Sequence, residues 1–306
     1  MKSEKRYIIG LDHGNHLMKT ASYVMPNGVK RLGAKPTFTA NTLYYGRTYY
    51  KVGEERMPVK DSKLSDDDYY ILTLAMLAKE MQSRGIPQGS SIILAVGMPL
   101  KQFSSERDGF IRYLKRDGQP VSFKYEDTAC NLSIAKVVVF PQCYAAVASR
   151  LPAMKECLIV DIGSWTIDIM EVKDGVPIES CCETFTESLV SVLQDIRSES
   201  SELLKKEISE NRIIAYIQGD AENIPKPHQK LMDTALERFA ARVEGLLKEN
   251  GHDTQFTDMV YVGGGAVVMK KYGRPGSNVS YITDVKANAI GYEYIASQIL
   301  SGDRTV

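Results

Sequence analysis

The chain opens with an apolar run that ends in Asp-x-Gly. Residues 7–11 are mostly apolar, Asp12 and Gly14 follow, and Leu17 and Met18 resume the apolar pattern. This order predicts a strand, a tight turn and a second strand. Because Gly14 permits unusual dihedral angles and close approach to the main chain, the turn's N–H groups are candidates for binding an anion.

The same layout recurs about 150 residues later. Residues 157–160 are apolar, Asp161 and Gly163 follow, and a second, mostly apolar run covers residues 167–170. Either copy alone is first of all a hairpin turn. Two copies at this separation predict a duplicated architecture, in which two similar domains each offer a hairpin to a shared cleft.

The remaining periodicity predicts a mixture of strands and helices. Tyrosine, threonine and glycine dominate residues 29–64, which we predict to be a small β-rich insertion with a hairpin at Gly46–Arg47. Apolar runs predict strands at 91–99, 121–125, 135–140, 258–262 and 279–282. Helical patterns are predicted from Ser65 (capped with Asp68) to Gly85, at 104–115, at 183–223 with a break at 198–201, at 234–250 and at 284–300.

Two further sites carry chemistry. Pro141 is predicted to be the first residue of a helix, which places Gln142 in its first turn, at the mouth of the preceding strand. Three glycines, 263–265, end the strand that begins near Asp258. They suit a backbone that lies flat against a ligand, and a flexible loop is the alternative.

Composition narrows the class of protein. The 306 residues suggest about two domains, and 38 basic against 38 acidic residues give no net charge with which to bind DNA or a membrane surface directly. Five cysteines without a Cys-x-x-Cys pair exclude a zinc ribbon, and no apolar run is long enough to cross a bilayer. We therefore expect a reduced, cytoplasmic protein that does not contact nucleic acid or membrane directly.

Five motifs together resemble the actin-like ATPase superfamily. They occur in its order and approximate spacing, as a first phosphate loop, a first connecting helix, a second phosphate loop, an adenosine motif and a second connecting helix: residues 12–19, 141–146, 161–168, 262–266 and 288–291. Within the superfamily, the short insertion and the second loop are most similar to bacterial ParM-like plasmid-segregation proteins.

The resemblance implies an α/β, actin-like fold. It consists of two similar domains with mixed central sheets and flanking helices around a nucleotide cleft. Domain I would cover 1–150, with the β-rich insertion at about 29–64, and would be completed by a C-terminal helix at 289–306. Domain II would cover 151–288, with a helical insertion at about 183–256.

The resemblance also implies a site for Mg-ATP, with GTP as the alternative nucleotide. Asp12 and Asp161 would hold magnesium through water, and Gln142 would orient the attacking water. The residues implied to bind phosphates, ribose or both are Gly14, Asn15, Lys19, Gly163, Ser164, Thr166, Gly263, Gly264 and Gly265. ParM-like proteins usually carry Glu at the position of Gln142, whereas actin carries Gln, and Trp165 replaces a residue that is usually Gly or Thr.

The implied function is a filament that assembles with ATP, weakens after hydrolysis and segregates plasmid DNA through a DNA-binding adaptor. A small-molecule kinase of the same fold is an alternative, although Gln142 cannot serve as a base. A non-polymerising ATPase scaffold is another. His13 and His16 lack further ligands for a metal site, and Cys181–Cys182 is more typical of small packed residues than of a redox switch.

Overall fold

The computed structural model describes residues 6–58, 60, 62–151, 154–178 and 181–302. By its internal contacts the chain divides into unit 1, Met1–Arg150 with Lys286–Val306, and unit 2, Leu151–Val285. Of the predicted terminal helix, positions 303–306 lie outside the described residues.

Unit 1 is organised around one mixed sheet. Its strands are β1 (Arg6–His13), β2 (Leu17–Thr20), β3 (Val24–Pro26), β4 (Val29–Leu32), β5 (Thr42–Tyr45), β6 (Thr48–Val52), β7 (Ser90–Met98), β8 (Val121–Tyr125) and β9 (Thr128–Pro141). Their order is β3-β2-β1-β7-β9-β8-β5-β6-β4. β1, β7 and β9 run parallel, and the other pairs are antiparallel. The β-rich insertion is therefore a continuation of the main sheet, joined to it where β5 pairs with β8.

Four helices of the described residues pack on this sheet: α1 (Asp68–Ser83), α2 (Leu100–Lys115), α3 (Tyr144–Val147) and α8 (Ala287–Ser301). Helix α8 lies against β1 and β7, and α3 lies against α8. The backbones approach so closely that a Cβ on Gly10 would lie 1.9 Å from the Ala289 carbonyl oxygen. Glycine at that position therefore allows the C-terminal helix to seat on the central strand.

Unit 2 has a smaller mixed sheet. Its strands are β10 (Glu156–Ile162), β11 (Ile167–Lys173), β12 (Val176–Pro177), β13 (Glu183–Phe185), β14 (Asp258–Val262) and β15 (Val279–Tyr281). The order is β12-β11-β10-β14-β15, and β13 also pairs with β11. Strands β10, β14 and β15 are parallel, while β11 is antiparallel to β10.

The helices of unit 2 are α4 (Leu189–Leu204), α5 (Glu210–Ile217), α6 (Lys226–Glu249) and α7 (Ala266–Tyr272). Helix α4 packs on α5 and α6, and α7 packs on α6, β14 and β15. The buried core joins apolar residues of β10 and β11 to those of α4 and α6. Among the described residues, no helix is both long and apolar enough to cross a bilayer.

Several predicted helix boundaries are wrong. Helix α1 begins at Asp68 rather than Ser65, because Asp66 Oδ1 accepts the Asp68 N–H and Lys60 binds both carboxylates at 2.5 Å. The break predicted at 198–201 is absent, since α4 continues to Leu204 and the buried Ser200 hydroxyl donates to the Lys206 carbonyl.

Three other elements also differ from the prediction. Residues 183–185 form a strand, and α6 begins at Lys226, next to Pro225 at its N-cap, instead of at residue 234. Pro141 does not start a helix: it is the last residue of β9, paired with Met98 of β7. A proline is tolerated there because it stands at the end of the strand.

Candidate functional site

The first hairpin, β1 and β2, places Asp12 one residue before the end of its strand and opposite Lys19. The carboxylate is 3% exposed. Its Oδ2 accepts from Lys19 Nζ at 2.8 Å, and its Oδ1 accepts from Gln142 Nε2 at 3.1 Å. Burial raises the pKa of Asp12, but the charge and hydrogen bond of Lys19 outweigh it, so the pKa lies below its usual value.

Residues 14–16 connect these two strands and form the first turn, which is packed tightly against neighbouring groups. A Cβ on Gly14 would lie 2.5 Å from the Leu17 carbonyl oxygen, so the turn excludes any side chain there. The Gly14 carbonyl accepts from Asn27 Nδ2 at 2.9 Å, and Asn15 Oδ1 accepts from the Tyr69 hydroxyl at 3.3 Å. Four of the predicted binding residues therefore lie close to Asp12. Lys19 and Gln142 bind its carboxylate, whereas Gly14 and Asn15 follow it closely in the chain.

Two cations that sequence reasoning missed also reach this hairpin. Lys63 Nζ donates to the His13 carbonyl, and Arg56 Nη1 lies 3.0 Å from His16 Nδ1. Both follow the last strand of the insertion, 40 to 50 positions after the turn. No local pattern marks them, because lysine and arginine in a polar segment are ordinarily solvent-exposed.

His13 has a packing role at the base of the hairpin. Its ring is fully buried, and Nε2 lies 2.8 Å from Thr73 Oγ1, whose hydroxyl in turn donates to the Tyr69 carbonyl. Burial and the charge of Lys63 lower the pKa of His13 to about 3, so the ring is neutral. It links the strand end to helix α1.

Gln142 lies in a strained turn directly after β9. Its N–H donates to the Met98 carbonyl at 2.9 Å, and its own carbonyl accepts from the Tyr144 N–H at 2.9 Å. Between them, the buried Cys143 has φ +75° and ψ −62°. This is a γ-turn with positive φ, which is rare, and strain of this kind is concentrated at functional sites. Gln142 is therefore positioned by the turn, and not by the first turn of a helix as the sequence predicted.

The second hairpin, β10 and β11, repeats the plan of the first. Asp161, 8% exposed, is again one residue before the end of its strand, and it lies opposite Asp168. Asp168 accepts from Thr166 Oγ1 at 3.1 Å and from Thr184 Oγ1 at 2.6 Å. Sequence reasoning assigned Asp168 no role, although its position opposite Asp161 follows from the hairpin register.

The second turn, residues 163–166, is held by main-chain groups. The Gly163 N–H donates to the Thr166 carbonyl at 2.9 Å. The N–H groups of Leu189 and Val190, at the start of α4, donate to the carbonyls of Gly163 and Ser164 at 3.4 and 3.0 Å. Helix α4 therefore fixes the second turn through its first residues.

The glycine triplet packs directly on the end of β10. Gly263 has φ +80°, and a Cβ there would lie 2.3 Å from Asp161 Oδ1, while one on Gly265 would lie 2.1 Å from Ile162 Cγ2. Only Gly264 has room within the protein, since its Cβ would be 3.4 Å from Leu189 Cδ1. The protein's own packing thus explains the absence of a side chain at Gly263 and Gly265, but not at Gly264.

The surroundings of Asp12 suit a hydrated magnesium ion. Magnesium typically keeps several waters and binds one or two carboxylates together with substrate phosphates. Both oxygens of Asp12 already accept hydrogen bonds from side chains, which suits a carboxylate that holds the ion through water. Among the described residues no group of three or more His, Cys, Asp or Glu side chains is arranged to hold a metal ion by itself.

Two protein families match the chain. Residues 10–144 match "Actin like proteins N terminal domain", and residues 159–272 match "Archaeal actin homologue MreB-like, C-terminal". Together the two matches span most of the chain, which therefore belongs to the actin-like ATPase superfamily. No curated protein sequence matches it.

Several solved structures have the same fold as this chain. The archaeal actin homolog Ta0583 in complex with ADP has a TM-score of 0.73 and is 16% identical, over 95% of this chain and 99% of its own. ParM of Bacillus thuringiensis with ATP has a TM-score of 0.69 and is 13% identical, over 97% of this chain and 99% of its own. The Alp12 filament structure has a TM-score of 0.69 and is 13% identical, over 96% of this chain and 99% of its own. The predicted actin-like fold, with mixed sheets and flanking helices, is confirmed.

Proposed function

We propose that the chain binds Mg-ATP through both hairpins, hydrolyses it and assembles into filaments whose stability depends on the bound nucleotide. The observation that carries this proposal is the duplicated hairpin. In both copies an aspartate one residue before the strand end lies opposite a residue seven positions later, 12 and 19 in one, 161 and 168 in the other. Each aspartate is buried next to a glycine turn, which is a suitable environment for a metal-bound polyphosphate.

Each hairpin supplies different groups for phosphoryl transfer. Asp12 and Asp161 hold the hydrated magnesium, which neutralises phosphate charge when bound. Lys19 adds a positive charge beside Asp12. The backbone of residues 14–15 and 163–164, with Thr166, cradles the phosphates, and the glycine triplet lies along the ribose and α-phosphate.

Gln142 orients the attacking water. An amide cannot remove a proton at neutral pH, so its contribution is position, as expected for a reaction in which the protein mainly arranges the nucleophile. Its Nε2 donates to Asp12 Oδ1, which fixes the plane of the amide and leaves Oε1 as the acceptor for a water O–H. The strained turn at Cys143 holds that orientation.

The cellular role proposed here is plasmid segregation through filaments that engage DNA by way of a DNA-binding adaptor. Support comes from the fold shared with ParM of B. thuringiensis and with Alp12, which has been solved as a filament. The sequence has no net charge, so an adaptor rather than direct DNA binding suits its electrostatics.

Assembly is tested by light scattering and pelleting with Mg-ATP, Mg-ADP and no nucleotide over a range of salt concentrations. We expect pelleting that requires ATP and reverses as ATP is consumed. Absence of assembly under every nucleotide and salt condition would contradict the filament proposal while leaving ATP hydrolysis to be judged separately.

Hydrolysis is tested with Asp161→Ala, measured as phosphate release. Loss of a buried carboxylate that organises the metal is expected to lower magnesium-dependent turnover by at least about 100-fold, as for removal of a preorganised electrostatic group. Asp195→Ala, on the exposed face of α4, is the matched control and should match wild type. Unchanged turnover in Asp161→Ala would mean that Asp161 is only a turn residue.

A further inference from the structure

The carbonyl that follows each aspartate is held by a donor from outside its hairpin. In the second hairpin, the Ile162 carbonyl accepts from the Gly265 N–H at 3.0 Å. At the equivalent position of the first hairpin, the His13 carbonyl accepts from Lys63 Nζ. A lysine side chain thus occupies the place that a main-chain N–H occupies in the other copy.

The next carbonyl shows the same correspondence. The Gly163 carbonyl accepts from the Leu189 N–H at 3.4 Å, and the equivalent Gly14 carbonyl accepts from Asn27 Nδ2 at 2.9 Å. Two successive carbonyls are therefore held away from the hairpin in both copies. With the carbonyls held in this way, the neighbouring N–H groups can face an anion, whereas an unheld peptide can rotate and present its oxygen instead.

The donors at the first turn form one connected group. Asn27 is 2% exposed; its carbonyl accepts from the Met57 N–H at 2.7 Å, and its amide Nδ2 lies 3.1 Å from the Tyr69 hydroxyl. Lys63 Nζ lies 5.6 Å from the centre of the Tyr69 ring. Because Met57 and Lys63 both lie between β6 and α1, the support of the first turn is anchored in the segment that leaves the insertion.

We propose that Lys63 is a positioning residue, which holds the first turn in its anion-binding form through the His13 carbonyl and so couples that turn to the insertion. The anion-binding part of this statement rests on the proposed function. Lys63 acts here through the peptide and not by contact with the terminal phosphate. Loss of its donor should therefore weaken every ligand whose phosphates reach the turn, ADP and ATP alike.

The first measurement uses the nucleotide-free, full-length protein. Backbone amide signals of Gly14 and Asn15 are compared by TROSY NMR in wild type, Lys63→Met and Lys63→Arg. We expect Lys63→Met to shift or broaden both signals and Lys63→Arg, which keeps a charged donor, to resemble wild type. Unchanged signals in Lys63→Met would overturn the proposal.

The control is Lys60→Met. Lys60 lies in the same segment and is similarly half-buried, but its ion pairs are with Asp66 and Asp68 rather than with the turn. It should leave the Gly14 and Asn15 signals in place, and equal perturbation by Lys60→Met would also count against the proposal. Lys63→Leu, which also removes the donor, replaces Lys63→Met in the same comparison if the methionine variant does not fold.

The second measurement is calorimetric binding of ADP and ATP to the same variants. We expect Lys63→Met to weaken both about tenfold and Lys63→Arg to recover most of the loss. A loss confined to ATP would overturn the proposal in favour of direct contact with the terminal phosphate. If wild type binds neither nucleotide, the proposed function fails, while the amide signals still decide whether Lys63 positions the turn.

Discussion

The hairpins of the two units place an aspartate at the same point in the strand but support the following turn by different means. The second turn is held by main-chain N–H groups of Leu189, Val190 and Gly265. In the first hairpin the equivalent carbonyls, those of His13 and Gly14, are held by the side chains of Lys63 and Asn27, and the main-chain N–H of Asn27 holds only the later His16 carbonyl, at 2.9 Å. The same pair of carbonyls after the aspartate is therefore held by main-chain donors in one hairpin and by side-chain donors in the other.

The difference matters because side-chain donors have more freedom than main-chain donors. An N–H at the start of a helix cannot leave its carbonyl unless the helix moves, whereas a lysine ammonium can exchange partners by rotating its own bonds. The Lys63 donor of the first turn therefore has more conformational freedom than the main-chain donors of the second. The predictions below exchange or remove the features in which the copies differ.

The largest effect is expected at Lys19, the cross-strand partner of Asp12. Lys19→Met removes the cation that binds Asp12 and is proposed to face the phosphates, so ATP turnover should fall about 100-fold, as for loss of a preorganised donor. Asp168→Asn, at the same register in the second hairpin, should cost less than about tenfold, because the hydroxyls of Thr166 and Thr184 that donate to Asp168 can also donate to the oxygen of an amide.

The measurement for both variants is the rate of phosphate release at saturating Mg-ATP. Lys19→Arg serves as the control that retains charge. Comparable losses in Lys19→Met and Asp168→Asn would contradict the assignment of unequal roles to the two cross-strand partners.

The next effect is a dependence of stability on pH that arises from His13 of the first hairpin. His13 is neutral in the folded protein, with its pKa lowered to about 3, whereas in the unfolded chain it binds a proton below about pH 6.5. As the pH falls from 6.5 towards 3, the unfolded state takes up a proton that the folded state does not. The free energy of unfolding should therefore decrease by about 1 kcal/mol per pH unit from this residue.

The test replaces His13 with its counterpart from the second hairpin. In metal- and nucleotide-free protein, His13→Ile should lower the acid slope of urea-unfolding free energy by about one proton relative to wild type. Ile162→Val, at the equivalent position, should leave the slope unchanged. Equal slopes for wild type and His13→Ile would show that His13 does not carry this acid sensitivity.

The smallest of the three effects concerns the close packing behind the second turn. A methyl on Gly265 would lie 2.1 Å from Ile162 Cγ2, so Gly265→Ala should lower the free energy of unfolding by about 2 kcal/mol through overpacking. Gly264→Ala makes only an ordinary contact with Leu189 and should change it by less than about 0.5 kcal/mol. Thermal and urea unfolding measure both. A stable Gly265→Ala protein would mean that β10 and the triplet separate easily.

The hairpins were predictable because their information is local. An apolar run, Asp-x-Gly and a second apolar run fix strand, turn and register within a few residues, so Asp12 and Asp161 could be located from the sequence. The two hairpins, the two connecting helices and the glycine triplet occur in an order that predicted the actin-like fold, and the family matches support it.

The remainder was not predictable because it depends on partners far along the chain. Lys63 reaches the first turn from 50 positions away, and Pro141 stays in a strand because Met98 of β7 pairs with it. Helix α4 passes through a serine-rich stretch because Ser200 finds an acceptor in Lys206. In each case a tertiary contact outweighs the local preference of the residue.

Strand β9 connects the insertion to Gln142. One end of it pairs with β8, which in turn pairs with β5 of the insertion, and its other end at Pro141 leads directly into Gln142. The strand that joins the insertion to the central strands is thus the strand whose end positions Gln142, the residue proposed to orient water. A displacement of β9 along its length would move its contacts with β8 and the main chain at Gln142 together.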